Sequence, residues 1–273
     1  GRNLGFAAAV NLALAETVAP FVCLLNPDAE PAPDYLERLL AAFAADERVG
    51  MAQGLLWKTR GGWRVIDSLG HLRGRDGIMR NLGDGADADP VLAREILARH
   101  ACKLVGVTGA AALLRRSMLD EITLENGPFD ETFGTFLEDA DLGLRATAAG
   151  WRTAIDPAAL CRHERGAAYR LAVNEMARVR GRLFANHLLL AVKHDAARRV
   201  LRDLPWMIAG QIVWVILLAR HPLLMAAALA HVTRQLPCAL QRRRPITTPL
   251  VIPDYRAELR RRRERRSATA VSL

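Results

Sequence analysis

Residues 127–145 constrain the fold more than any other segment of this 273-residue chain, because carboxylates stand there among large apolar side chains. The acidic residues are Asp130, Glu131, Glu138, Asp139 and Asp141. A carboxylate held among apolar side chains needs a cation, a proton or hydrogen bonds to offset its lost hydration. The first turn of a helix accommodates one such acid. Three acids directly after an aromatic loop fit site chemistry equally well, and the local pattern leaves both interpretations open.

Short apolar runs alternate with amphipathic stretches, which predicts an α/β domain. The continuous apolar run at 21–25 is followed by the turn Asn26-Pro27-Asp28, a pattern typical of a buried parallel strand. Ligands of open α/β sheets bind at the carboxyl ends of the strands, where Asn26 and Asp28 would lie. An ordinary turn is the alternative, because Asn-Pro-Asp is good turn chemistry by itself.

Two further segments bear on a site. Residues 61–89 are rich in Gly and Asp, and we predict short strands and a mobile loop that either covers a substrate or simply connects elements. Residues 103–114 are predicted to form a strand that enters a tight turn at Thr108-Gly109-Ala110. Such small residues allow close approach of a ligand or close packing of a strand on a helix.

Charge divides the chain into an acidic part and a basic part. Residues 1–159 contain 16 Lys or Arg and 22 Asp or Glu, whereas residues 160–273 contain 22 and 7. A basic C-terminal part favours anionic lipids or nucleic acid as partners. Aromatic side chains that would stack on bases are scarce there, with Tyr255 the only one after Trp214. We therefore expect no nucleic-acid partner.

The most apolar segment, residues 204–232, is predicted to lie at a membrane surface. Arg220-His221-Pro222 interrupts it, and neither half reaches the ~20 apolar residues that a spanning helix needs. An interfacial or re-entrant helical pair fits better, with Trp206 and Trp214 as interface anchors. The alternative is a helical hairpin that covers the domain's own core or a partner subunit. The widely spaced cysteines show no CxxC pair, which favours reduced thiols in a cytosolic setting.

Three phrases taken together resemble family 2 glycosyltransferases, and most closely the bacterial rhamnosyltransferase-type members. The phrases are Asn3-Leu4-Gly5-Phe6-Ala7-Ala8-Ala9-Val10-Asn11, Leu24-Leu25-Asn26-Pro27-Asp28, and Phe129-Asp130-Glu131 with Leu137-Glu138-Asp139-Ala140-Asp141-Leu142 and Arg145. Gly150-Trp151-Arg152, Pro157 and His163 continue the resemblance in register. The combination is specific, although each phrase alone is weak.

The resemblance implies a GT-A fold, in which a Rossmann-like sheet binds a nucleotide-sugar together with a divalent metal. It assigns residues 1–166 to this catalytic domain. The apolar and charge patterns assign residues 167–235 to a helical, membrane-associated region and residues 236–273 to a basic tail. Family members normally begin with a strand and an Asp-containing turn that bind the base and ribose. These elements do not precede Asn3, so we expect a domain that is partial at its N-terminus, as a fragment or a shortened relative.

The resemblance also assigns roles to individual residues. Asn26-Pro27-Asp28 matches the family's DxD position with Asn in place of the first Asp, so Asp28 is the expected ligand of Mg²⁺ or Mn²⁺. His163 is expected to complete the metal site, and Asp139 matches the catalytic base. The residues expected to bind donor or acceptor are Asn3, Gly5, Asn26, Gly109, Glu138, Asp141 and Arg145.

The implied activity is metal-dependent, inverting transfer of a sugar from a nucleotide-sugar to a hydroxyl of a lipid-linked or polysaccharide acceptor. A carboxylate takes the hydroxyl proton, and the metal neutralises the leaving diphosphate. The expected setting is cell-envelope glycan synthesis at the cytoplasmic face of the inner membrane, with peripheral or monotopic attachment. The alternative is a non-catalytic remnant that acts as a membrane-bound interaction protein. A nucleotidyltransferase would need a glycine-rich phosphate loop near the start, and none is visible.

Overall fold

Strands and helices alternate in the first part of the computed structural model, which describes residues 3–165 and 173–245. The strands are β1 (Phe21–Leu25), β2 (Ala29–Pro31), β3 (Val49–Arg60), β4 (Trp63–Ser68), β5 (His71–Arg73), β6 (Met79–Asn81), β7 (Leu104–Gly106), β8 (Ala111–Arg115) and β9 (Arg152–His163). The helices are α1 (Phe6–Ala15), α2 (Tyr35–Ala45), α3 (Pro90–His100), α4 (Arg116–Glu121), α5 (Glu138–Ala148), α6 (Val173–His194), α7 (Ala197–Leu218) and α8 (Pro222–Gln241). The predicted α/β domain followed by a helical region is thus confirmed.

The main sheet has the strand order β1-β8-β3-β9-β2, and β4 pairs with the end of β3. The β3–β9 pair is parallel, whereas β1 runs antiparallel to β8. The prediction of a buried parallel strand at 21–25 is therefore wrong for the described structure, in which Cys23 and Leu25 remain exposed. An apolar run does not by itself reveal the direction of the neighbouring strand.

Helix α5 lies unusually close to β7, and this closeness fixes the position of the acidic segment. A Cβ atom on Gly143 would lie 2.2 Å from the carbonyl oxygen of Val105, so a larger residue would push α5 away from the strand. Leu142 and Ala146 of the same helix are buried in the core under the sheet. The first turn of α5, with Glu138 and Asp139, is therefore held at one edge of the domain.

Residues 61–89 form β4, β5 and β6 and do not behave as a surface loop over their whole length. Every residue from 65 to 74 is buried, and β5 pairs with both β6 and β7 in a second, three-stranded sheet. The predicted short strands are present. The middle of the segment is not an exposed loop, because its glycines serve tight turns between buried strands. Gly70, for example, has φ +91°, and a Cβ atom there would lie 2.9 Å from the carbonyl oxygen of Gly106.

A group of buried charges joins the helical region to α5. We call it the α5–α6 ion cluster, and its members are Asp130, Asp141, Arg145, Lys193, His194 and Arg242. Nζ of Lys193 donates to both Asp130 and Asp141, whose side chains are fully buried. Burial raises the pKa of the Asp141 carboxyl, but Lys193 and Arg145 lower it further, to well below its usual range. The carboxylates of this cluster are ionised and paired.

Helices α7 and α8 are longer than the sequence pattern suggested. α7 begins at Ala197 and α8 extends to Gln241, so both are long and apolar enough to cross a membrane by length and composition alone. The prediction that neither half is long enough is therefore wrong. Only 11% of the most apolar window of each helix is buried. The exposed large apolar residues of α7 are Leu201, Leu204, Trp206, Ile208, Ile212, Val213, Val215, Ile216 and Leu217.

The two tryptophans of α7 differ in their surroundings. Trp206 is exposed, as expected of an interface anchor, whereas Trp214 packs against His187 of α6 with ring centroids 5.5 Å apart. The start of the predicted helical region, up to residue 172, and most of the predicted basic tail, from residue 246 onward, lie outside the described residues.

Candidate active site

The turn after β1 and the end of β9 bring Asp28 and His163 together. β2 pairs with β9 so that Ala29 lies opposite His163. One carboxylate oxygen of Asp28 consequently lies 3.5 Å from Nε2 of His163. The backbone N–H of Asn26 donates to the carbonyl oxygen of Ala110 at 2.8 Å, which fixes this turn beside the small-residue turn before β8.

A third residue, Asp67, orients the His163 ring. Nδ1 of His163 lies 2.9 Å from Oδ2 of Asp67, and both side chains are buried. Burial raises the pKa of Asp67, but the bond to His163 and the charges of Arg165 and Lys58 lower it more, to about 2. An ionised Asp67 accepts a hydrogen bond from Nδ1–H of His163, and this bond orients the ring so that Nε2 faces Asp28.

This arrangement fits a divalent cation. Histidine ligands of metals usually donate their second ring N–H to a carboxylate, as His163 does to Asp67. Mg²⁺ is commonly held by one or two carboxylates together with substrate phosphates. Within residues 3–165 and 173–245 no three His, Cys, Asp or Glu side chains are grouped so that they could hold a metal. Asp28 and His163 would therefore share such an ion with a ligand that supplies further oxygens.

Asp139 lies at the first turn of α5 and accepts hydrogen bonds from two backbone N–H groups. Gly109 donates to Oδ2 at 2.8 Å, and Ala140 donates to Oδ1 at 2.7 Å. Nε2 of His71 lies 3.2 Å from the same Oδ2 atom. The Asp139 side chain keeps 18% of its surface exposed, so the carboxylate remains reachable.

The neighbouring carboxyls of Glu138 and Asp139 have opposite pKa shifts. Burial raises the pKa of Asp139, but His71, whose Nε2 lies 3.2 Å away, and the hydrogen bonds from Gly109 and Ala140 lower it more, so it lies below its usual range. Burial and the charge of Asp139 raise the pKa of Glu138 well above its usual range. Asp139 is therefore the more acidic carboxyl of the pair, and Glu138 keeps its proton to higher pH.

The loop before α5 is strained and is held from α6. Phe136 and Leu137 have φ angles of +73° and +69°, which non-glycine residues rarely adopt. The side-chain amide of Asn186 donates to the carbonyl oxygens of Phe133 and Thr135, each at 3.1 Å, and to that of Phe136. Strain of this kind persists only where the surroundings impose it, and it is common at functional sites.

The first sequence phrase lies at this same loop. The side-chain oxygen of Asn3 accepts from the N–H of Gly5 at 2.9 Å, and Gly5 has φ +82°. The N–H of Ala7 donates to the carbonyl oxygen of Gly134 at 3.0 Å. Asn3 and Gly5 therefore border the loop that leads to Asp139.

Asp141 and Arg145 are not brought to the surface. Both side chains are almost fully buried and bond to each other at 2.9 Å within the α5–α6 ion cluster. Arg145 also donates to the carbonyl oxygens of Ile122 and Pro128. Their contacts in the described structure position α5, and neither side chain reaches Asp28 or Asp139 through a hydrogen bond.

Asp67 and His71 support the two candidate centres, and neither residue was predicted from the sequence. Asp67 holds His163, and His71 approaches Asp139, four residues later along the chain. The two centres lie at one edge of the domain because the neighbouring residues Gly109 and Ala110 bond to Asp139 and to Asn26, respectively. A close Asp and His pair between glycines was the available signal, but it lay in a segment interpreted as a loop.

Known proteins resemble this chain over most of the described α/β domain. The family described as Glycosyltransferase like family 2 matches residues 3–181. Two curated relatives are N-acetylglucosaminyl-diphospho-decaprenol L-rhamnosyltransferases of Mycobacterium tuberculosis, from strains CDC 1551 / Oshkosh and ATCC 25618 / H37Rv. Each is 29% identical over 183 residues, which are 60% of this chain and 57% of the relative. The chain therefore spans little more than half the length of these relatives.

A solved structure also resembles the chain. It is the mannosyltransferase PcManGT from Pyrobaculum calidifontis in complex with GDP-Man and Mn²⁺, with a TM-score of 0.45 and 16% sequence identity. The similarity covers 98% of this chain and 60% of the mannosyltransferase.

Asp67→Asn tests whether the buried Asp67 carboxylate stabilises the fold through its ionised form. The folded pKa is about 2 and the usual value is 3.8. The contribution is therefore fully present above pH ~4 and is lost as the pH falls toward 2. We expect the variant to lose about 2 kcal/mol of unfolding free energy at pH 7, measured by urea unfolding in detergent.

The difference between wild type and Asp67→Asn should shrink between pH 4 and pH 2. Asp120→Asn, at an exposed aspartate of α4, is the matched control and should change stability little at any pH. A difference that stays constant down to pH 2 would contradict the assignment of an ionised Asp67.

Proposed function

Since this chain belongs to the glycosyltransferase-like family 2, we propose that it is a metal-dependent, inverting glycosyltransferase acting in cell-envelope glycan synthesis. In this proposal the donor is a nucleotide-sugar and the acceptor is a hydroxyl of a lipid-linked or polysaccharide glycan. The observation that carries the proposal is the position of an ionised, partly exposed Asp139 at the same domain edge as the Asp28–His163 pair.

Asp28 and His163 would hold Mg²⁺ or Mn²⁺, with the turn residue Asn26 beside them. When bound, such an ion supplies positive charge to the diphosphate of the donor. Asp67 keeps Nε2 of His163 directed toward Asp28, so the two side chains are preorganised at 3.5 Å. Asn3, Gly5 and Gly109 lie along the same edge and would border the donor or the acceptor.

Asp139 would act as the general base that takes the proton of the acceptor hydroxyl. Its ionised form is favoured by Gly109 and His71, and its exposed fraction leaves room for the hydroxyl. Glu138, whose pKa is raised by burial and by the charge of Asp139, would orient the acceptor or hold the loop. A single base without a carboxylate nucleophile suits one direct displacement, in which the anomeric configuration is inverted.

The acceptor to be tested first is a sugar on a lipid diphosphate. The transferred sugar to be tested first is L-rhamnose. The relatives from M. tuberculosis carry this activity in their names. The exposed apolar faces of α7 and α8 would hold the enzyme at the cytoplasmic face of the membrane, as a monotopic or peripheral protein. The corresponding regions are the catalytic domain, 1–166, the membrane-associated region, 167–235, and the basic tail, 236–273.

Asp139→Asn tests the general base. We expect the rate of sugar transfer to fall by roughly 10²- to 10⁴-fold, because the isosteric amide takes no proton. Donor affinity should stay nearly unchanged, since Asp139 is assigned to the acceptor. The assay measures transfer from a panel of radiolabelled nucleotide-sugars, including an L-rhamnosyl donor, to polyprenyl-diphosphate-linked N-acetylglucosamine.

Asp156→Asn, on β9, is the control for this change and should keep nearly full activity. Full activity in Asp139→Asn would remove Asp139 from its role. A wild-type chain that neither transfers sugar nor hydrolyses any donor with Mn²⁺ would favour the non-catalytic, membrane-bound alternative.

Asp28→Ala tests the metal site. We expect Mn²⁺-dependent binding of the donor to weaken by about tenfold or more, because one of two protein ligands is lost. Isothermal titration of nucleotide-sugar with and without Mn²⁺ measures this effect. Glu30→Ala, at an exposed carboxylate two residues away, should leave the metal dependence unchanged. An unaltered metal dependence in Asp28→Ala would count against the site.

The double variant Ile212→Ser and Ile216→Ser tests membrane attachment. Both side chains are more than half exposed on α7 and are one helical turn apart. We expect binding to anionic phospholipid vesicles to fall by at least about tenfold, since apolar surface that enters the membrane is lost. Val18→Ser with Leu36→Ser changes exposed apolar residues of the catalytic domain and serves as control. Equal vesicle binding by both double variants would contradict attachment through α7.

A further inference from the structure

His71 is a buried histidine whose ring lies beside Asp139. Its side chain retains 8% of its surface, and among the described residues neither ring nitrogen makes a well-aligned hydrogen bond. A polar group buried without a partner costs free energy. The closest charged contact recorded for the ring is Oδ2 of Asp139, 3.2 Å from Nε2. Contacts of catalytic groups are often poorly aligned without substrate and tighten when substrate binds.

The backbone around His71 fixes the ring in this place. His71 lies on β5 and pairs with Asn81 of β6 on one side and with Gly106 of β7 on the other. Gly70 before it cannot carry a side chain without meeting the carbonyl oxygen of Gly106. The middle strand of the second sheet therefore places the imidazole next to α5. The pairing of this strand on both sides holds the ring beside Asp139.

We propose that His71 is a positioning residue that holds the Asp139 carboxylate ionised and oriented toward the acceptor hydroxyl. The backbone N–H of Gly109, in the turn before β8, donates a hydrogen bond to Oδ2 of Asp139, the oxygen that His71 also approaches. The inference rests on the proposed role of Asp139 as the general base. The titratable groups that face Asp139 are His71 from β5 and Glu138 from its own helix. His71 is thus the only basic side chain among them, within residues 3–165 and 173–245.

The pair is tested first without any substrate, by NMR of protein labelled with ¹³C-histidine. The His71 signals are assigned by their absence in His71→Gln. Replacement of the Asp139 carboxylate by an amide in Asp139→Asn should shift the His71 ring signals at neutral pH, because a charged oxygen 3.2 Å from Nε2 is lost. Asp120→Asn is the control and should leave these signals unchanged. Identical His71 ring signals in wild type and Asp139→Asn would overturn the inference.

The second test measures activity of His71→Gln against pH. Loss of the imidazole raises the pKa of Asp139, so the acid limb of kcat/KM should move to higher pH by about one unit. We expect kcat to fall by roughly tenfold to a hundredfold while KM for the donor stays the same. His100→Gln makes the same change at another buried histidine and should keep the wild-type pH profile. A profile of His71→Gln that matches this control would also overturn the inference.

The double variant His71→Gln with Asp139→Asn separates this inference from the proposed function. If His71 acts through Asp139, the double variant should be no slower than Asp139→Asn alone. A further loss of tenfold or more would show that His71 acts elsewhere. If Asp139→Asn itself is fully active, the proposed base fails. If Asp139→Asn is inactive and His71→Gln resembles wild type, only the role of His71 fails.

Discussion

The fully buried ion pairs of Lys193 with Asp130 and Asp141 are the interaction on which the site depends. Two carboxylates without surface exposure are tolerated in the core because Lys193 lies between them and the other members of the ion cluster pair with them. Loss of one partner from such a group leaves an uncompensated buried charge, which is far more costly than the pair is stabilising. Because Asp141 lies on α5 and Lys193 at the end of α6, the helical region sets the position of the helix that carries Asp139.

The sequence predicts the class of fold and the position of α5 because these depend on local pattern. The acidic first turn of α5 and its end before Gly150 follow from capping rules. The roles of the individual acids depend on cations that lie far away in the chain, such as Lys193 and Arg242, and no local pattern indicates them. The same reason explains the wrong direction of β1, whose partner β8 begins 86 residues after the strand ends. The resemblance indicated that Asp28 and His163 approach each other, and they lie 3.5 Å apart.

No role was predicted from the sequence for residues 67–71, although they support both candidate centres. Asp67 fixes the tautomer of His163, and His71 approaches Asp139 from the next strand. A short, buried turn therefore links the orientation of the expected metal ligand to that of the expected base. Glycine and aspartate in this segment are typical of surface turns, and only the pairing of β5 with β6 and β7 buries it. Burial strengthens the electrostatic interactions of these turn residues, because the dielectric constant around them is lower than in water.

The five acidic residues of the segment 127–145 differ in their partners and therefore in their electrostatic environment. Asp130 and Asp141 are ionised against buried cations, and Glu131 accepts a bond from Asn11 at 3.1 Å. Glu138 has a buried oxygen without a partner in the described residues, so its carboxyl is favoured in the protonated form. Backbone N–H groups and His71 stabilise the charged form of Asp139, and no lysine or arginine of the described residues forms an ion pair with it. An ionised carboxylate that is stabilised but not fully neutralised can still accept a proton, and this distinguishes Asp139 from Asp130, Glu138 and Asp141.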